Sequence, residues 1–229
     1  MELSKRLQCV AGLVTPGSRV ADVGTDHGYL PIWLVEAGVC PGAIAMDVGK
    51  GPLERAQVHI REHGLEEKIE TRLGDGLERL APGEADTLVL AGMGGPLMQR
   101  ILTQGEETAR AARELILSPQ SDLRAFRQFL YGAGYTVTEE QMLREDGKYY
   151  TVMRAVPGQD PEPWSPAEFG YGRHLLRQRP PVLREFLEKK RETCRNIRES
   201  LAREAKPSPR RQEVEERLRE LEELLRDWP

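Results

Sequence analysis

No stretch of this 229-residue chain approaches the ~18 consecutive apolar residues that a membrane span requires. The apolar run CVAGLV near the N-terminus is shorter than the core of a secretory signal and follows an acidic residue, so an unexported, cytoplasmic protein is expected. Cysteine is equally scarce. Cys9, Cys40 and Cys194 are odd in number, widely spaced and without a CxxC pair, which excludes a disulfide framework and leaves them as small, half-buried hydrophobes. His59, His63 and His174 are read as solvated or hydrogen-bonded surface histidines rather than ligands, so no metal centre is expected. There is no internal repeat. There is no overall excess of positive charge either: the net charge is −4, which argues against a generally basic nucleic-acid binder.

What the chain does contain is unevenly distributed. It is 39% hydrophobic and 31% charged, ordinary for a globular core but with more charge than usual, so a solvated helical region is expected. Residues 1–158 carry 17 Lys and Arg against 22 Asp and Glu, whereas residues 173–211 carry 13 against 5, a net +8. Residues 212–229 reverse again, with 3 basic and 7 acidic side chains. A basic segment followed by an acidic one suggests two arms that attract each other.

Up to about residue 156, short β-rich runs alternate with helix-length segments, the pattern of a parallel sheet covered by helices on both faces. Strands are predicted at Arg19–Val23, Ala43–Met46, Ile69–Leu73, Thr87–Ala91 and Leu115–Leu117, followed by a pair near Tyr135–Thr138 and Tyr149–Arg154. TLVLA and AIAM are apolar throughout, as central strands buried on both faces must be. EDGK between the last two runs reads as a hairpin turn, which makes the last of seven strands antiparallel. The proline-rich PGQDPEPWSP, Pro157–Pro166, reads as a linker or extended strap. The expected division is therefore an α/β, Rossmann-like catalytic domain over 1–157, then a linker and C-terminal helical arm over 158–229. In that arm Leu183, Phe186, Ile197 and Leu201 form one apolar stripe, and Val214, Leu218, Leu221, Leu225 and Trp228 another. Separated by KPSPR, they predict an antiparallel, coiled-coil-like hairpin.

The first strand runs into Asp22-Val23-Gly24-Thr25-Asp26-His27-Gly28-Tyr29, a glycine turn where doubly wound sheets bind nucleotides. A dinucleotide GxGxxG beginning at Gly24 would need glycines at Asp26 and Tyr29, so NAD is excluded. The pattern (D/E)xGxxxG is the S-adenosylmethionine form of the turn. Gly24 and Gly28 would admit the methionine moiety, and Asp22 or Asp26 could receive its ammonium group. Asp47 follows the second strand, 19 residues beyond Gly28, where a carboxylate can accept both ribose hydroxyls. Gly74-Asp75-Gly76-Leu77 follows the third strand, where such enzymes hold the adenine amino group. The fourth ends in Ala91-Gly92-Met93-Gly94-Gly95, in place of the Asn or Asp with two prolines found in enzymes that methylate exocyclic amines. Gly92, Gly94 and Gly95 would allow a flat base close to the backbone, and Met93 would pack on it; the same residues could equally form a packing loop. Ser118-Pro119-Gln120 offers a polar side chain at the same rim.

With GTDHGYLPI, AMDV, GDGL and AGMGG in this order, the chain resembles the bacterial tRNA adenine-22 N1-methyltransferases (TrmK-like), over most of its length and including the helical hairpin. The resemblance implies S-adenosylmethionine as cofactor, tRNA as partner, and cofactor contacts at Asp22, Gly24, His27, Gly28, Tyr29, Asp47, Asp75, Gly76 and Ala91. It implies no particular catalytic base, and adenine N1 needs none because its in-plane lone pair is free at neutral pH. Alignment is the main requirement. Asp26 is the carboxylate singled out to stabilise the developing base cation. N1 lies on the Watson–Crick edge, so the adenine must be unpaired or extruded, with Tyr29 a candidate to stack on it. Lys189, Lys190, Arg191 and Arg195 in KKRETCRNIR are candidates for phosphate contact, or else the solvated face of a coiled coil. A methyltransferase of another RNA, of a small molecule or of a protein would keep the cofactor elements without needing the basic arm. A non-catalytic tRNA-binding protein would show the reverse.

Overall fold

The computed structural model describes residues 2–201, 209–226 and 228. Strands β1 (Val20–Val23), β2 (Ala43–Asp47), β3 (Ile69–Leu73), β4 (Thr87–Ala91), β5 (Glu114–Ser118), β6 (Tyr135–Glu145) and β7 (Lys148–Pro157) form one sheet in the order β3-β2-β1-β4-β5-β7-β6. The first five are parallel and β7 is antiparallel to both neighbours. Helices α1 (Lys5–Leu13), α2 (Tyr29–Glu36), α3 (Lys50–Glu62), α4 (Gly95–Gln104), α5 (Glu106–Ala111) and α6 (Leu123–Gly132) connect and cover it. Side chains alternate between the faces with the period of two that a strand imposes. Val20, Ala43, Ala45, Val89 and Ile116 join one core with residues of α1, α2 and α3. Ala21, Val23, Ile44, Met46, Leu88 and Leu90 join the other with residues of α4 and α6. Both faces are buried, which is why these strands carry almost no polar residues.

The last two strands are much longer than their apolar runs suggested. Asp146 and Gly147 both adopt positive φ, +48° and +74°, the type I′ geometry that matches strand twist and locks Glu145 opposite Lys148. From that turn the hairpin pairs with itself through polar residues as well as apolar ones, except for an irregularity between Val137 and Glu139.

Contacts divide the chain after His174, not near Pro157, into units Met1–His174 and Leu175–Pro229. The proline-rich stretch is a strap on the first unit. Trp164 Nε1 donates to Asp160, and the Arg173 guanidinium lies 4.8 Å from the Trp164 ring centroid while donating to Asp160, Glu168 and the Pro163 carbonyl. Helix α7 (Pro166–Tyr171) begins with a capping box between Ser165 and Glu168. Beneath it Arg127 and Glu140, both fully buried, pair at 2.8 Å, and Arg127 also donates to the carbonyls of Phe169 and Gly170. Helix α8 (Arg173–Gln178) leads into the second unit.

There α9 (Pro181–Leu201) and α10 (Pro209–Arg226) pair antiparallel: Ile197 shares a groove with Arg210 and Val214, and Arg179 lies over the Trp228 ring. The buried positions are Leu183, Leu187 and Cys194 against Val214, Leu218 and Leu221. Leu187 and Cys194 thus replace Phe186, Ile197 and Leu201, which are only half-buried. Residues Lys206–Ser208 of the expected KPSPR turn lie outside the described residues. No helix among the described residues is long and apolar enough to cross a membrane.

Candidate active site

The chain leaves β1 toward β2 and leaves β4 toward β5, so successive connections diverge and a crevice opens beyond the C-terminal ends of β1 and β4. The β1 turn is fastened by two hydrogen bonds, from the Gly24 and Thr25 amides to the Met46 carbonyl. The β3 turn is fastened by Gly74 N–H to the Asp47 carbonyl. Two adjoining cavities result. One, of about 250 Å³, is lined by Gly24, Asp47, Asp75, Gly76, Ala91 and Met93, among others. The second, of about 210 Å³, has Arg6, Asp22, Asp26, Tyr29 and Gln120 in its wall. Gly24, Ala91 and Gly92 border both.

Gly24 has φ +83°, a conformation that favours glycine, and a Cβ there would lie 2.7 Å from the Met93 methyl. The β4 loop therefore closes over the β1 turn through Met93. Asp22 is 7% exposed. Burial pushes its carboxyl up to about 6, Asp47 adds to the rise, and the Thr25 hydroxyl and the Arg6 guanidinium oppose it. A carboxylate whose ionised form is penalised chiefly by burial gains from a cation brought beside it. Asp47 Oδ1 accepts the Gly49 N–H at 2.6 Å, which orients the carboxylate at the mouth of the first cavity. Asp75 is gripped by both Arg100 Nη atoms, at 2.9 and 3.1 Å. This guanidinium holds the Asp75 carboxyl below the usual carboxylate range.

Several residues expected at the site face elsewhere. A Cβ on Gly28 would touch Ala56 Cβ at 3.2 Å, so this glycine serves the packing of α2 against α3 rather than approach to a ligand. Cβ atoms on Gly94 and Gly95 would meet Ser121, at 3.1 Å from its hydroxyl and 2.7 Å from its carbonyl. For these two the packing-loop reading is the right one, and Gly92 alone of the three glycines faces the cavities. His27 lines neither cavity. Its ring stacks with Tyr29 and His59, with centroids 5.1 to 5.4 Å apart, and His59 Nδ1 donates to its carbonyl at 2.8 Å. Asp26 pairs with Arg55 at 2.8 Å and lies 3.5 Å from His27 Nε2.

Arg6, Arg55 and Arg100 carry no signal in the sequence because they come from helix faces, α1, α3 and α4, and not from strand-end motifs. In the second unit, Arg195 pairs with Glu222 at 3.2 Å and the Lys190 ammonium sits 5.4 Å from the Phe186 ring centroid. Lys189 is exposed and Arg191 half-buried. Among the described residues no group of three or more His, Cys, Asp or Glu could hold a metal ion.

Residues 3–153 match a family described as a methyltransferase domain. A tRNA (adenine(22)-N(1))-methyltransferase of Bacillus subtilis (strain 168) is 41% identical over 158 residues, which is 69% of this chain and 66% of that protein, a little under two thirds of its length. Among solved structures, the B. subtilis M1A22 tRNA methyltransferase TrmK superposes with a TM-score of 0.87 at 33% identity, covering 98% of this chain and 99% of the other. Streptococcus pneumoniae Sp1610 in complex with S-adenosyl-L-methionine gives 0.88 at 33% identity, covering 98% and 100%.

Proposed function

The chain belongs to the bacterial tRNA (adenine(22)-N(1))-methyltransferase family, and on that premise we propose that it methylates N1 of adenine 22 in tRNA, in the cytoplasm, with S-adenosylmethionine as methyl donor. The observation that carries this reading is the crevice itself. Buried Asp22, Gly24 at the border of both cavities, and Asp47 with one oxygen already oriented make a site that fits a zwitterionic amino acid joined to a ribose.

When bound, S-adenosylmethionine supplies a methyl group on a positively charged sulfur. Asp22 would accept from the ammonium group, and Arg6, whose guanidinium borders the same cavity, would balance the carboxylate beside it. Asp47 would receive the ribose hydroxyls. Asp75, held still by Arg100, would hold the adenine end, with Gly76 and Ala91 in the same cavity wall. Adenine N1 would form the new bond with its own lone pair as the sulfur–methyl bond breaks and leaves a neutral thioether, so no residue is needed to remove a proton. The protein contributes alignment, worth roughly 7 to 11 kcal/mol when the reacting atoms are held in line. Asp26, at the edge of the second cavity, offsets the positive charge that methylation leaves on the base, although Arg55 engages one of its oxygens. His27 acts indirectly, by fixing Tyr29 in the ring stack.

The two-part division serves this reaction: the sheet unit holds cofactor and base, and the basic helix of the hairpin meets tRNA phosphates through Lys189, Lys190 and Arg191. Arg195 contributes less, because Glu222 engages it. Incubation of the protein with bulk tRNA and labelled S-adenosylmethionine, followed by nucleoside chromatography and mass spectrometry, tests the proposal. N1-methyladenosine is the expected product. N6-methyladenosine or a methylguanosine in its place would overturn the N1 assignment, and methyl transfer only to small molecules or proteins would overturn tRNA as substrate.

A further inference from the structure

A base presented for attack through N1 must keep that lone pair free of hydrogen bonds. What remains for the protein to read on adenine is the opposite edge, where the N6 amino group donates and N7 accepts. Guanine presents two acceptors there, O6 and N7. Discrimination therefore calls for one side chain that offers a donor and an acceptor side by side, and an amide does so.

The second cavity contains one such group. Asp22 and Asp26 only accept, Arg6 only donates and the Tyr29 hydroxyl offers a single atom, whereas Gln120 presents a donor and an acceptor side by side. Its backbone N–H donates to the Met93 carbonyl at 3.0 Å, which ties the segment after β5 to the loop after β4. Its Nε2 lies 4.0 Å from the point a Gly92 Cβ would occupy, and Gly92 has φ +88°. The amide thus stands beside an opening that a side chain at residue 92 would narrow. Gln120 is exposed, and its side chain makes no hydrogen bond among the described residues.

We propose that Gln120 selects adenine by reading its N6–N7 edge, with Oε1 accepting from the N6 amino group and Nε2 donating to N7, over the open face of Gly92. The inference rests on the adenine-N1 reading above. Single-turnover methyl transfer is measured on tRNA carrying adenosine or 7-deazaadenosine at the target position, the latter lacking the N7 acceptor. Wild-type protein should be slower on the 7-deaza substrate by about tenfold, as loss of one hydrogen bond predicts. Gln120→Ala should be slower on normal tRNA and indifferent to the replacement. Gln120→Glu keeps the N6 acceptor, loses the N7 donor and should also be indifferent. Because the side chain supports no other residue, urea melting of both variants should match wild type, which shows that they are folded. An equal 7-deaza penalty in wild type and both variants would overturn the inference while leaving the adenine-N1 reading intact, as would a wild type insensitive to the replacement. Failure of wild-type protein to form N1-methyladenosine on normal tRNA would overturn both.

Discussion

Asp22 should make cofactor affinity depend on pH in a way that no exposed carboxylate would. Its carboxyl is raised from the ordinary 3.8 to about 6, chiefly by burial, yet it must be ionised to receive an ammonium group. At pH 5, one unit below that value, only about a tenth of the free protein carries the charge, so the apparent dissociation constant should be about tenfold higher than at pH 7.5, or ~1.4 kcal/mol. Binding at pH 5 should release nearly one proton and at pH 7.5 almost none, which calorimetry in two buffers of different ionisation enthalpy measures directly. The same shift acts on folding. Between about pH 4 and 6 the native state holds the proton more tightly than the unfolded chain, so this group favours folding at low pH and loses that contribution as pH rises. By neutral pH the ionised, buried carboxylate costs roughly 3 kcal/mol, an upper bound that relaxation and bound water reduce. Asp22→Asn should therefore melt at higher urea concentration than wild type at pH 7, while binding cofactor weakly and without pH dependence. A flat affinity between pH 5 and 7.5 with no proton release would refute the assignment of Asp22 to the ammonium.

Asp47→Ala should weaken cofactor binding by about 1.5 to 3 kcal/mol, the worth of charge-assisted hydrogen bonds, in a protein whose melting is otherwise ordinary. Gly28→Ala combines φ +69° with a 3.2 Å approach to Ala56 and should cost about 1 to 2 kcal/mol of stability by urea titration, with cofactor affinity per folded molecule unchanged. Arg127→Met strands Glu140 in the core and should destabilise by about 3 to 5 kcal/mol, a loss that adding Glu140→Gln should partly restore. Lys189→Glu with Lys190→Glu and Arg191→Glu should raise the tRNA dissociation constant and flatten its salt dependence, by a little under one unit of slope for each phosphate that is no longer neutralised. Wild-type tRNA affinity and slope in that variant would move tRNA recognition off the arm.

The α/β architecture was legible in the chain itself, because a strand buried on both faces has no choice but to be apolar, as TLVLA and AIAM are, and the turns between such strands must break that pattern. The turns that line the crevice were legible for the same reason. Asp22, Gly24, Asp47, Asp75 and Ala91 sit at strand ends, and in a parallel sheet strand ends on one side converge whatever else the chain does. The length of β6 and β7 was less visible, since a hairpin that pairs with itself tolerates polar residues and needs only its Asp146-Gly147 turn. Glycine roles were not readable at all. Gly24 and Gly92 border the crevice while Gly28, Gly94 and Gly95 face Ala56 and Ser121, and nothing local distinguishes them, because the neighbours that decide it belong to distant parts of the chain. Arg6, Arg55 and Arg100 were hidden likewise: a charged side chain on a helix looks solvated until the fold sets a carboxylate or a cavity beside it. Local sequence settled which residues form strands, turns and the apolar sides of helices. Only tertiary packing decided which turns face a ligand, which charges are already paired, and how far Asp22 is removed from water.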